Sequence, residues 1–162
     1  MLTFKKQGNS ECLATALWQL GAIGEAEVRH YAKNVLPLTF QSFSPVDIQS
    51  NWLGELGFEK MKQWMDEEIR KPDGAFYGDA FGSRSIPFPE TGRGLLLVRL
   101  RNWSGGSGQH ALSVEDGMIM DSNGPGKLET AAEYKERIAR DQHAEIEWTY
   151  FEPIPERAAS GA

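Results

Sequence analysis

The spacing of apolar positions changes partway along the chain, and the change divides it into two halves. Leu13, Ala16, Leu17 and Leu20 recur at helical spacing behind the candidate caps Asn9 and Ser10, while Gly21 with Gly24 supplies a stop. This predicts a helix over about 10–20. A second helix is expected from Glu25 to Asn34. A third begins where Ser44 caps Pro45 at the first helical position, and it ends near Gly57. Phe58 to Arg70 also has helical composition, with Met61, Trp64, Met65 and Ile69 on one side. The N-terminal half is therefore expected to be mainly α.

The stretch "KPDGAFYGDAFGSRSIPFPETGRG" follows, from Lys71 to Gly94, and its glycines and prolines interrupt both hydrogen-bonded periods. Next comes "LLLVRLRNW", a β-type run long enough for a central strand, and then the loop "SGGSG". "QHALSVEDGMIMDSNG" predicts a hairpin turning at Asp116-Gly117, a pair suited to a type I′ turn. "ETAAEYKERIARD" predicts a helix opened by a capping box, Thr130 with Glu133, and "EIEWTYFEPI" alternates as a last strand. The expected fold class is α+β, with a helical half packed against a C-terminal antiparallel sheet. It forms a single domain over 1–155, with 156–162 as a frayed tail.

Composition removes several function classes. At 162 residues with 40% hydrophobic positions the chain can bury a real core. Seventeen basic against 23 acidic residues give a net charge of -6, with no basic run, so neither nucleic acid nor a membrane is an expected partner. The first residues lack the apolar core and cleavage site of a signal peptide, and no apolar run is long enough to cross a bilayer. The expected location is the cytoplasm, or a destination reached by a signal-independent route. A single cysteine excludes an internal disulfide and any zinc site built from several thiolates.

That cysteine, Cys12, falls in the first turn of the first predicted helix, where unpaired backbone N–H groups and the positive end of the helix dipole favour a thiolate. A lone cysteine is most often a small buried hydrophobe, so chemistry requires a neighbouring base. His30 and His143 sit in surface-like helical or post-helical contexts. His110 opens the strand "HALSV" after a glycine-rich loop. A two-residue turn at Asp116-Gly117 pairs Glu115 with Met118, Val114 with Ile119, Leu112 with Asp121 and His110 with Asn123. His110, Asp121 and Asn123 then share a face, and a carboxylate or an amide could orient the imidazole. A three-residue loop would put Asp121 and Asn123 on the opposite face.

A cysteine at a helix start, a glutamine just upstream, a helical half and a β half with a histidine and a downstream Asp or Asn together resemble the papain-like cysteine peptidase superfamily. Within it, "HALSVEDGMIMDSNGPG" followed by "TAAEYKERI" is most similar to the bacteriocin-processing, C39-like peptidases. The resemblance implies a papain-like fold and hydrolysis of a peptide or isopeptide bond in a peptide or protein substrate. It needs no metal or organic cofactor and leaves the oligomeric state open. It makes Cys12 the nucleophile, His110 the general base and acid, Asp121 the orienting carboxylate with Asn123 as the alternative, and Gln7 the side-chain donor of an oxyanion hole. Gln7 is one residue closer to the cysteine than is usual there, and Leu13 stands where a glycine is common.

The same resemblance brings two loops to the cleft, with Phe76, Tyr77 and Phe81 on one and Trp103, Gly108 and Gln109 on the other as candidate substrate-binding residues. Taken singly, Phe76, Tyr77, Phe81 and Phe88 fit core filling slightly better than ligand contact. Trp18, Trp52 and Trp64 are expected in the core, and Asp66 to Glu68 on a solvated helix face. A transglutaminase-like acyltransferase or protein deamidase would use the same triad, and a catalytically inactive protein-binding module would present the same cleft.

Overall fold

A computed structural model describes residues 1–8, 10–41, 45–68, 85–103 and 106–156. It is a mixed α+β structure with helices in the N-terminal part followed by a five-stranded antiparallel sheet. Helix α1, Cys12–Gln19, ends as its glycine predicts: Gly21 adopts φ 72°, and the N–H groups of Gly21 and Ala22 bond back to Trp18 O and Leu17 O at 2.9 and 3.0 Å. Its start differs from expectation. Ser10 takes a left-handed backbone (φ 62°) and Glu11 becomes the N-cap, with no side-chain cap bond. Asn9 lies outside the described residues.

Helix α2, Glu25–His30, does not stop at Asn34. It passes through a π-helical turn, Tyr31–Val35, into α3, Leu36–Gln41. There the Leu36 N–H reaches back to Tyr31 O, and this wider register admits Pro37, which has no N–H and would collide with the preceding turn of a regular helix. Helices α4, Pro45–Glu55, and α5, Glu59–Glu68, turn at Gly57 (φ 91°). The expected cap Ser44 is outside the described residues. Asp66 is more than a solvated residue: it accepts Ser50 Oγ at 2.6 Å, which ties α5 to α4, and Lys62 Nζ at 2.7 Å within α5.

The strands are β1 Arg93–Trp103, β2 Gly106–Glu115, β3 Met118–Met120, β4 Glu129–Thr130 and β5 Glu145–Pro153, in the order β4-β3-β2-β1-β5. The unbroken apolar run of β1 reflects burial on both faces. Leu95 and Leu97 pack into the cluster that holds Leu13, Leu17 and Trp52 from the helical part, with Trp18 and Trp64 packed against it. Leu96, Val98 and Leu100 join Leu112, Val114, Ile119 and Trp148 under Tyr134 and Ile138 of α6, Ala131–Gln142. Each fully buried side chain of this size contributes roughly 1.5–3 kcal/mol. The sheet is thus a middle layer between the N-terminal helices and α6, whose predicted capping box is present with both bonds, at 3.1 and 2.9 Å.

The hairpin has the expected turn, with Asp116 at φ 48° and Gly117 at φ 81°, and pairs Glu115 with Met118, Val114 with Ile119 and Ser113 with Met120. Pairing then ends, so the expected partnerships of Leu112 with Asp121 and His110 with Asn123 do not form. A turn intervenes, closed by Gly124 N–H on Asp121 O at 2.9 Å. From this point towards His110, β3 no longer covers the edge of β2. A polar clasp holds α1 against the sheet: Ser113 Oγ donates to Ala16 O at 2.8 Å, and Gln19 Nε2 donates to Ser113 Oγ and Met120 O at 2.9 and 3.2 Å. Of the expected tail, Glu156 accepts the Met1 amino group and 157–162 lie outside the described residues. No helix among the described residues is long and apolar enough to cross a membrane.

Candidate active site

Cys12 is the first residue of α1, so its N–H has no acceptor within the helix. Its half-buried thiol meets the uncovered edge of β2. Burial pushes the thiol pKa up, but hydrogen bonding and charge from His110, with the Ala111 backbone N–H, outweigh burial and the opposing charge of Asp121. The net shift is downward.

His110 Nε2 stands 2.6 Å from Asp121 Oδ1, which leaves Nδ1 for the thiol. Burial lowers the imidazolium pKa, and hydrogen bonds and charges from Asp121 and Cys12 more than reverse this, lifting it to about 10. Both shifts favour a thiolate beside an imidazolium. Asp121 is 2% exposed and makes three hydrogen bonds. His110 and the Asn123 N–H (3.0 Å, an Asx turn) share Oδ1, and Arg137 Nη2 binds Oδ2 at 2.9 Å. Burial would raise its pKa, but these donors hold the carboxyl well below the usual range. Gly124 lies against this cluster, and a Cβ there would meet Arg137 Nη2 and Asp121 Cβ at 3.0 Å each.

Arg137 also forms a fork with Glu129, Nε to Oε2 at 2.8 Å and Nη2 to Oε1 at 2.9 Å. Sequence reasoning missed both residues. The available signal was an arginine placed between Tyr134 and Ile138, the two buried positions of α6, where a solvated cation does not belong.

Gln7 and Ser122 brace each other: Gln7 N–H donates to Ser122 O at 3.0 Å and Ser122 Oγ donates to Gln7 Oε1 at 2.7 Å. The Gln7 amide nitrogen has a long contact, 3.4 Å, to Gly8 O. Gln7 lines a cavity of ≈ 430 Å³ together with Cys12, His110 and Asp121. Asn123, the alternative orienting residue, turns its side chain to solvent, where Oδ1 accepts Lys6 Nζ at 3.2 Å. Only its backbone serves Asp121.

On the other side of Cys12 an apolar recess is lined by Leu13, Tyr31, Met65 and Leu97, with Gln49 Nε2 on the Tyr31 hydroxyl at 3.2 Å. Gln109 borders both hollows. Trp103 and Gly108 belong to the β1–β2 pairing, opposite Gly106 and Leu100. Phe76, Tyr77 and Phe81 lie outside the described residues. Phe88 fills core, with its ring centroid 5.1 Å from that of Trp148. His30 and His143 are both exposed; His30 faces Asn34, and His143 is on the cavity's far rim. Among the described residues, no group of three or more His, Cys, Asp or Glu side chains is placed to hold a metal ion.

No protein-family model matches the chain, and no curated protein or solved structure matches it. The chemistry of the site stands on its own geometry: a thiol at a helix start, an imidazole held 2.6 Å from a buried carboxylate, and the backbone N–H groups of Cys12 and Ala111 beside the thiol. Such a set can perform acyl transfer.

Proposed function

We propose that the protein is a thiol-dependent hydrolase of papain-like, C39-like type, cleaving a peptide or isopeptide bond in a peptide or protein substrate. The observation that carries this reading is the 2.6 Å contact of His110 Nε2 with the buried Asp121, made where the His110 ring also interacts with the thiol at the start of α1. The Cys12 thiolate attacks the carbonyl carbon, and the carbonyl oxygen, gaining negative charge, is received by the Cys12 N–H and the Gln7 amide. Collapse of this intermediate breaks the C–N bond as His110 passes its proton to the departing amine. Water then attacks the thioester, His110 takes the proton, and the acid leaves as the thiolate is restored.

The test is to incubate the parent protein and Cys12→Ala with a complex peptide mixture and to follow new termini by mass spectrometry. Termini made by the parent alone, with activity abolished in Cys12→Ala, support the reading; termini made equally by both remove it. Ammonia released from intact chains would replace hydrolysis with deamidation or transglutamination. A parent that turns over nothing, with a normally reactive thiol, would be the inactive binding module.

A further inference from the structure

Behind the site, Arg137 shares its guanidinium between two carboxylates, Asp121 at 2.9 Å and Glu129 through two bonds of 2.8 and 2.9 Å. The side chains are 15%, 2% and 5% exposed, so solvent screens these charges weakly. Asp121 therefore serves two cationic neighbours at once, His110 on one oxygen and Arg137 on the other. We propose that Arg137 and Glu129 are a charge-setting pair, in which Arg137 positions Asp121 while Glu129 neutralises Arg137, so that together they set how strongly Asp121 stabilises the His110 imidazolium. This rests on the hydrolase reading above. Neither residue is catalytic, since the reacting atoms lie beyond Asp121.

The sign of each effect follows from charge alone. Unopposed, the Arg137 charge weakens the hold of Asp121 on the imidazolium and eases proton loss from imidazolium and thiol alike; Glu129 offsets it. Removing the Glu129 charge should lower the pH at which the thiolate forms, and removing the Arg137 charge should raise it. The other groups facing the pair are few. Cys12 faces His110 from α1, and Tyr134 faces Asp121 from α6. Lys6 is one step removed, bonded to the Asn123 side chain, and Asp141 and His143 border the far part of the cavity. Tyr31 faces Cys12 from the π turn. Among the described residues, Arg137 is the cation bonded to Asp121 besides His110.

The experiment follows thiolate formation by its ultraviolet absorbance against pH in the parent, Glu129→Gln, Arg137→Met and Arg137→Lys. The expected midpoint moves down by about one pH unit in Glu129→Gln and up by about one in Arg137→Met. Arg137→Lys, which keeps the charge, should return it to within about 0.3 of the parent. A purely structural pair would move both charge variants the same way, towards an ordinary thiol, or neither; either result overturns the proposal. Should Arg137→Met fail to fold, the isosteric Glu129→Gln decides, and an unchanged or raised midpoint overturns it. A parent midpoint at the ordinary thiol value of about 8.5 would instead overturn the hydrolase reading, and this proposal with it.

Discussion

On the sheet side of the cleft, Asp121 is held by three donors and backed by an Arg137–Glu129 fork. On the helix side, Cys12 sits at the start of a helix without a side-chain cap, and the nearest polar anchor of that helix is the clasp of Ala16 and Gln19 on Ser113. The sheet side fixes the direction of a charge; the helix side fixes only the position of a backbone. The difference matches what each group needs. A carboxylate that orients an imidazole works only along one line, whereas a thiolate needs unpaired N–H groups around it, and a capping side chain would compete for them.

If the sheet side carries the directional part, the largest effect comes from breaking it. Asp121→Asn should lower turnover on the order of 10³-fold or more, because the amide no longer fixes the tautomer or balances the imidazolium. Asn123→Ala, whose side chain bonds Lys6, should cost less than about tenfold, since it leaves the Asp121 charge in place. Steady-state rates in the two variants check the order, and the reverse order would exchange the roles. Asp121→Asn also breaks a buried pair and should cost about 3 kcal/mol near neutral pH by denaturant unfolding. Because the folded-state pKa of Asp121 is depressed, its stabilisation is present above 3.8 and is lost as pH falls through the lowered value. The gap between parent and variant should therefore close on acidification.

The smaller effect is on the helix side. Ser113→Ala removes the clasp hydroxyl and should lower stability by about 1–2 kcal/mol, leaving the pH dependence of thiol reactivity where it was. A shift of that dependence would mean that the clasp, too, tunes charge.

The same contrast explains what the sequence discloses. Asp116-Gly117 determines the turn, and the turn determines the register as far as Ser113 with Met120, which leaves Asp121 at the end of the short ladder, where its own turn carries the carboxylate to His110. Helix-start placement of Cys12 is equally local. The end of the β3 ladder at Met120 is not, because Asp121 leaves the strand to collect donors from its own turn and from α6. Arg137 and Glu129 were hidden for that reason: their meaning depends on α6 lying over the hairpin. The run of helix past Asn34 was masked by Pro37, which usually ends a helix but is here accommodated by a π turn. The uncapped start of α1 escaped because Ser10 adopts a left-handed backbone in place of a capping one.

The central claim is that Cys12 and His110 share a proton as thiolate and imidazolium. The direct measurement is the rate of alkylation of Cys12 by a neutral electrophile across pH, in the parent and in His110→Ala, with the modified residue located by mass spectrometry. With the thiol pKa lowered and the imidazolium pKa raised to about 10, the parent should already react fast at neutral pH, with a further change only where the imidazolium deprotonates. His110→Ala should need a pH at or above the ordinary thiol value of about 8.5 for the same fraction of thiolate. A parent profile that follows an ordinary thiol, or one that His110→Ala leaves unmoved, would contradict the ion pair and the function built on it.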